Sequence, residues 1–168
     1  MRYHTLWLSL AVVALVVTPA ADAQDARLRD RLDPATATRV SAILDSARMT
    51  GLPTRPLVSK ALEGASKGAP GPRIVAAVSR LAGELRVARD VLGPATESEL
   101  DAAASALILG VRRTDLAAVR GARSGERLTV PLAVLADLVA YGVPADAATQ
   151  AVVRLAGGTG EDEALLDF

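Results

Sequence analysis

The sequence contains no cysteine, and its single histidine and single tryptophan, His4 and Trp7, both lie close to the first residue. Without cysteine no disulfide can form, so packing alone must hold the fold together. Aromatic residues are scarce as well, since Tyr141 and Phe168 are the only two after Trp7. Most of the chain therefore lacks the side chains that proteins most often use for catalysis and recognition.

These absences exclude several kinds of site after residue 7. Zinc, copper, haem and iron–sulfur sites ordinarily need histidine or cysteine ligands, and the common nucleophilic triads need a histidine or a cysteine. Single-stranded nucleic acid is usually gripped by stacking on aromatic rings, and neither Tyr141 nor Phe168 lies in a basic stretch. We therefore expect no cofactor, no metal and no nucleic-acid partner.

The first residues have the layout of a secretory signal peptide. Arg2 and His4 precede a short apolar run over residues 5–17, and the small-residue triplet at residues 21–23 is typical of a cleavage site. The run is shorter than the roughly 20 residues that cross a bilayer. We predict that residues 1–23 are removed and that the protein is periplasmic or extracellular, soluble and not lipid-anchored, since no cysteine can carry a lipid.

The remainder has the size of one domain. We predict a charged N-terminal segment at residues 24–35 that is flexible or weakly helical, a single all-helical domain at residues 36–156, and a flexible acidic tail at residues 157–168. We expect this domain to consist of helix-turn-helix units.

Apolar residues recur at helical spacing along the predicted domain. In residues 73–92 they follow alternating steps of four and three, which predicts an amphipathic helix, and residues 54–67 show the same spacing. Thr96 and Glu99 have the form of a capping box, which predicts a helix start. Residues 128–141 are apolar at nearly every position, so we expect this helix to be surrounded on most sides at the centre of the core.

Three glycines, Gly51, Gly110 and Gly142, each follow a helical run and precede an apolar residue. Glycine just past a helix end adopts the left-handed conformation cheaply, and the next apolar residue packs back on the last turn. Alignment on these glycines gives helix-turn-helix units at residues 36–67, 96–122 and 129–156, with the helix at 72–92 inserted. The predicted fold is all-α, an irregular helical-hairpin bundle or a short solenoid-like array of about six or seven helices.

Charge is balanced overall, but the N-terminal half is basic and the C-terminal end is acidic. One interpretation is that these are solvated faces without a partner. The alternative is a basic surface that meets anionic lipid or another acidic component of the envelope and that includes Arg55, Lys60, Lys67, Arg73 and Arg80.

Two features are candidate partner contacts. The first is an arginine group around one helical hairpin, which either docks a phosphate or carboxylate or forms a solvated loop with neighbouring acids. The second is Phe168, whose terminal carboxylate either enters a backbone groove of a partner or ends a tail that binds nothing. The arginines are Arg112, Arg113, Arg120, Arg123 and Arg127.

Acidic residues offer two further candidates. Asp137 is the only charge in residues 128–141, and it is either a buried acid–base group or a solvent-facing carboxylate. Glu97, Glu99 and Asp101 are either oxygen ligands for a cation or residues that favour a helix start, and capping is the better match to the spacing.

We therefore expect a non-catalytic interaction or structural module of the cell envelope, whose partner is another envelope or secreted protein. One alternative is a peripheral protein whose basic half contacts an anionic membrane surface. A second is an enzyme that works with carboxylates, which needs two acids converging in one cleft.

Overall fold

The structure, a computed structural model, describes residues 26–156, which form eight helices and no strand within that range. The prediction of an all-α fold is confirmed. The predicted signal peptide and the predicted tail, including Phe168, lie outside the described residues. None of the helices in the described range is both long and apolar enough to cross a bilayer.

The helices begin and end close to the predicted positions. The predicted helices at residues 54–67, 73–92 and 128–141 each match one helix to within two residues at either end. In chain order the helices are α1 at residues 26–31, α2 at Pro34–Met49, α3 at Arg55–Ser66, α4 at Gly71–Leu92, α5 at Glu97–Ile108, α6 at Arg113–Ala122, α7 at Thr129–Ala140 and α8 at Ala145–Ala156.

Side chains cap the starts of α2 and α5. The Asp33 carboxylate accepts a hydrogen bond from the Thr36 amide at 3.0 Å. At α5 the predicted capping box is present, because the Thr96 amide donates to Glu99 Oε2 at 2.8 Å and the Glu99 amide donates to Thr96 Oγ1 at 3.3 Å. Local sequence thus fixes where these helices begin.

The predicted glycines end their helices. Gly142 has a φ of 94°, its amide donates to the Val139 carbonyl, and the Val143 amide reaches back to the Leu138 carbonyl, both at 3.0 Å. This pattern satisfies the last carbonyls of α7 and turns the chain toward α8. Gly51 ends α2 in the same way. The recurring motif of a glycine followed by an apolar residue is therefore explained by helix termination, without a bound ligand.

Helix α4 lies at the centre of the described fold. It packs against α2, α3, α5 and α6, and it buries Val78, Leu81 and Leu85. The expectation that residues 128–141 form the central helix is wrong. Helix α7 packs mainly on α5 and α8, and both Asp137 and Tyr141 are exposed.

The helices follow a regular packing order. Helices α2, α4, α6 and α8 contact one another in succession, while α5 packs on α7 and α7 on α8. Polar contacts bring the starts of three helices together. Arg55 at the start of α3 pairs with Glu97 at the start of α5, and Glu99 of α5 accepts a hydrogen bond from the amide of Leu128, immediately before α7. Helices α3 and α5 both pack on α4, and a groove separates them from each other.

Candidate functional site

A groove runs between α3 and α5, with α4 as its floor, and we call it the α3–α5 groove. Its volume is about 720 Å³. Leu81 of α4 forms part of the floor, and the walls are residues that recur at three- and four-residue steps on each helix, as expected for two facing helical stripes. The wall residues include Arg55, Ser59, Lys60 and Glu63 from α3, and Asp101, Ser105, Ile108 and Leu109 from α5 and its C-terminal cap.

The α5 wall changes character along its length. Asp101 lies toward the start of α5, whereas Ile108 and Leu109 lie at its end. Leu109 is 42% exposed, although most large apolar side chains of the described fold are buried. Because a helix rises 1.5 Å per residue, the charged end and the apolar end are about 12 Å apart. The α5 wall thus offers one carboxylate and one apolar surface at a fixed separation.

The two cations of the groove already have carboxylate partners. Arg55 Nε lies 3.2 Å from Glu97 Oε1, and Lys60 Nζ donates to Glu63 Oε2 at 2.8 Å. Hydrogen bonds from Lys60 and then from Lys67 lower the pKa of Glu63 to about 2. Glu63 is therefore a stable carboxylate that balances two lysines of its own helix.

Asp101 differs from the other charged residues of the groove. Its side chain is half-buried, and among the described residues it makes no hydrogen bond and no ion pair. Burial first, and then the charge of Glu97, raise the pKa of Asp101, while Arg55 and Lys60 act in the opposite direction without cancelling that rise. A hydrogen-bond donor or a cation placed beside Asp101 would therefore stabilise its charged form.

Three of the five predicted arginines are engaged within the fold. Arg112 makes two hydrogen bonds to the buried Asp115 carboxylate, both at 2.9 Å, and they are the main reason that the pKa of Asp115 is lowered. The charge of Arg120, which is half-buried, helps to lower the pKa of Glu99. Arg123 is buried, and its Nε donates to the Ala156 carbonyl at 3.3 Å and lies 3.7 Å from Glu126.

The other predicted contact residues are in different situations. Arg113 and Arg127 are exposed and make no ion pair with any described residue. Phe168 lies beyond the described range. Of the group proposed from sequence, Arg112 and Arg123 make polar contacts within the fold, Arg120 acts on Glu99 through its charge, and Arg113 and Arg127 have no ion pair within residues 26–156.

The acidic candidates have separate roles. Asp137 is exposed, which confirms its interpretation as a solvent-facing carboxylate. Glu97 pairs with Arg55, and Glu99 serves the capping box as predicted. Glu99 also accepts a hydrogen bond from the Leu128 amide at 2.7 Å, and the several bonds to its charged form outweigh the opposing effect of burial, so its pKa is lowered.

The α3–α5 groove was not predicted from the sequence. The sequence predicts that Arg55 and Lys60 belong to a basic surface and that Asp101 belongs to a helix start. No local signal shows that residues 55–63 and residues 101–109 face each other, because this depends on α3 and α5 lying side by side on α4.

No protein-family model, no curated protein and no solved structure matches this chain. The geometry and the chemistry of the α3–α5 groove are therefore the basis for assigning a function.

Proposed function

We propose that this protein is an exported, non-catalytic interaction module of the cell envelope, which binds a segment of another envelope or secreted protein in the α3–α5 groove. The groove is the observation that carries this proposal, because it combines an exposed apolar end with a carboxylate that makes no hydrogen bond or ion pair within residues 26–156. Charged and apolar side chains that lie together on an open surface are typical of the polar rim of a protein–protein interface. The signal-peptide pattern of residues 1–23 supports export.

The groove chemistry supports binding rather than hydrolysis. An enzyme that uses two carboxylates needs one acid and one base free to act on the same bond. Glu63 and Asp101 both line the groove, but hydrogen bonds from Lys60 and Lys67 occupy Glu63. That leaves Asp101 as the one uncommitted acid of the groove.

Blocking the groove tests the proposal. Ser105 is half-buried in the wall, so Ser105→Trp would fill the space without changing a charge. The internally tagged protein would be cross-linked in its native cells and recovered, and the proteins enriched with it would be identified. We expect a specific partner to be recovered with the unmodified chain and lost with Ser105→Trp.

Ala118→Trp is the matched control, since Ala118 is exposed on α6 and does not line the groove. Circular dichroism and thermal unfolding would establish that both variants fold. A chain ending at Ala156 would be compared in parallel, which assigns any contact made by Phe168. Equal recovery of every enriched protein with both tryptophan variants would contradict binding in the groove.

A second proposal is that the basic half contacts anionic lipid, and the surface of α1 favours it. Arg27, Arg29 and Arg31 are exposed and make no ion pair with any described residue. Arg27 and Arg31 lie one turn apart on the same side of α1, and Arg29 lies on another side. Exposed cations attract acidic membrane surfaces, and salt weakens the attraction. Sedimentation with phosphatidylglycerol vesicles tests it: binding that salt abolishes and that replacement of the three arginines by glutamine removes would support the lipid function.

A further inference from the structure

The charged groups of the α3–α5 groove are not equally satisfied. Arg55 and Lys60 each have a carboxylate within 3.2 Å, whereas Asp101 has no hydrogen-bond donor among the described residues. The charged groups that act on Asp101 are Glu97, Arg55 and Lys60, and two of these three pair with each other. Asp101 is therefore the groove carboxylate that is accessible to a donor from another molecule.

We infer that the α3–α5 groove selects a partner segment that carries a lysine or an arginine, whose cation pairs with Asp101, together with an apolar side chain that packs against Ile108 and Leu109. This inference rests on the proposed function. It adds the chemical class of segment that the groove takes.

A basic side chain is the ligand that complements Asp101, because the two nearby cations, Arg55 and Lys60, are each paired with another carboxylate. An ammonium or guanidinium group would make a charge-assisted hydrogen bond to Asp101, which is among the stronger polar contacts in proteins. An acidic side chain at the Asp101 end of the groove would have to displace Glu97 from Arg55 or Glu63 from Lys60, and it would then lie close to Asp101. Like charges brought together in this way oppose binding.

The apolar end of the groove sets the second half of the preference. Ile108 is half-buried and Leu109 is exposed, so an apolar side chain lying against them would remove apolar surface from water. The two ends are about 12 Å apart, a distance that an extended chain covers in roughly four residues. We expect the basic and the apolar residue to be three or four positions apart in an extended segment.

Selection from a random library tests this inference directly. Phage-displayed random dodecapeptides would be selected against the chain from Gln24 to Phe168, and the enriched peptides would be synthesised for affinity measurements. We expect lysine or arginine at one fixed position and an apolar residue three or four positions away. Binding should fall about tenfold or more in Asp101→Asn and severalfold in Leu109→Ala.

Asp137→Asn is the matched control, because it removes one exposed carboxylate on α7, outside the groove, and should leave the affinity unchanged. If Ser105→Trp blocks peptide binding and Asp101→Asn does not weaken it, the basic preference is overturned and the groove remains a binding site. Enrichment of Asp or Glu, with binding lost in Arg55→Gln, would overturn it equally. Peptides insensitive to Ser105→Trp, or a selection that yields none, would overturn the groove as well.

Discussion

Three carboxylates within five residues of α5 have different roles, although the sequence presents them as one cluster. Glu97 forms a surface ion pair, Glu99 is buried in a network of hydrogen bonds, and Asp101 has no hydrogen-bond donor in the part of the chain that the structure describes. The sequence predicted the cap at Glu99 because a capping box is local. It could not predict the bond to Leu128, which joins residues far apart in the chain.

Glu99→Ala should lower the free energy of unfolding by about 2 to 3 kcal/mol, because the amides of Leu128 and Thr96 would lose their acceptor. Urea unfolding near neutral pH measures the change. Glu97→Ala is the matched control on the same helix, and it should cost less than about 1 kcal/mol because its ion pair with Arg55 is exposed. Similar small losses in both variants would show that Glu99 does not hold the start of α7.

The shifted pKa of Glu99 gives a second test, with a defined sign. Its pKa is lowered on folding from an ordinary value of 4.5, so its stabilising contribution is complete above that value and is lost as the pH falls through the folded pKa. Asp101 has the opposite sign, because its raised pKa makes its ionisation unfavourable to folding. Urea unfolding over a series of acidic pH values should show a shallower loss of stability in Glu99→Gln than in the unmodified chain. An unchanged slope in Glu99→Gln would contradict this assignment.

At the scale of the helix, the sequence determines the ends better than the neighbours. The turn at Gly142 depends on backbone conformation and on bonds to the preceding turn, all of which are local. The prediction that α7 lies at the centre of the core was wrong, because apolar composition does not reveal how many helices surround a segment. Several apolar residues of α7, such as Val134 and Leu138, are only partly buried, since α7 packs mainly on two helices.

Two glycine substitutions separate a turn requirement from ordinary helix flexibility. Gly142→Ala should destabilise the fold by about 1 kcal/mol or more, since its φ of 94° is unfavourable for alanine although nothing lies within 4 Å of the added Cβ. Gly83→Ala, within α4 and equally free of contacts, should stabilise it by about 0.5 to 1 kcal/mol. Thermal unfolding measures both, and changes of the same sign would contradict the role of Gly142 as a helix terminator.

At the scale of the whole molecule, the groove is a consequence of packing order. The groove requires α3 and α5 to lie side by side on α4, so that residues more than forty positions apart face each other. The sequence predicts the helices and shows the scarcity of catalytic side chains, but it does not predict that Asp101 and Lys60 line the same groove. Their proximity depends on tertiary contacts that no spacing along the chain encodes.

Peptide binding in the groove should depend on pH in the direction set by Asp101. Because its pKa is raised, Asp101 is protonated at a higher pH than an ordinary aspartate. Protonation removes the charge with which a lysine or arginine would pair. The affinity of a selected basic peptide should fall as the pH is lowered through that pKa, and it should be nearly constant over the same range in Asp101→Asn. Calorimetric titration measures both, and parallel pH profiles would contradict the pairing.

Photo-cross-linking from inside the groove is the most direct test of the central claim. A photoreactive amino acid would replace Ser105 in the full chain expressed in its native cells, and a matched one would replace Ala118 on α6. We predict that Ser105 gives adducts with one contiguous segment of a partner, containing a basic and an apolar residue, and that Ala118 gives none with that segment. The same adducts from both positions, or from Ala118 alone, would contradict recognition in the α3–α5 groove.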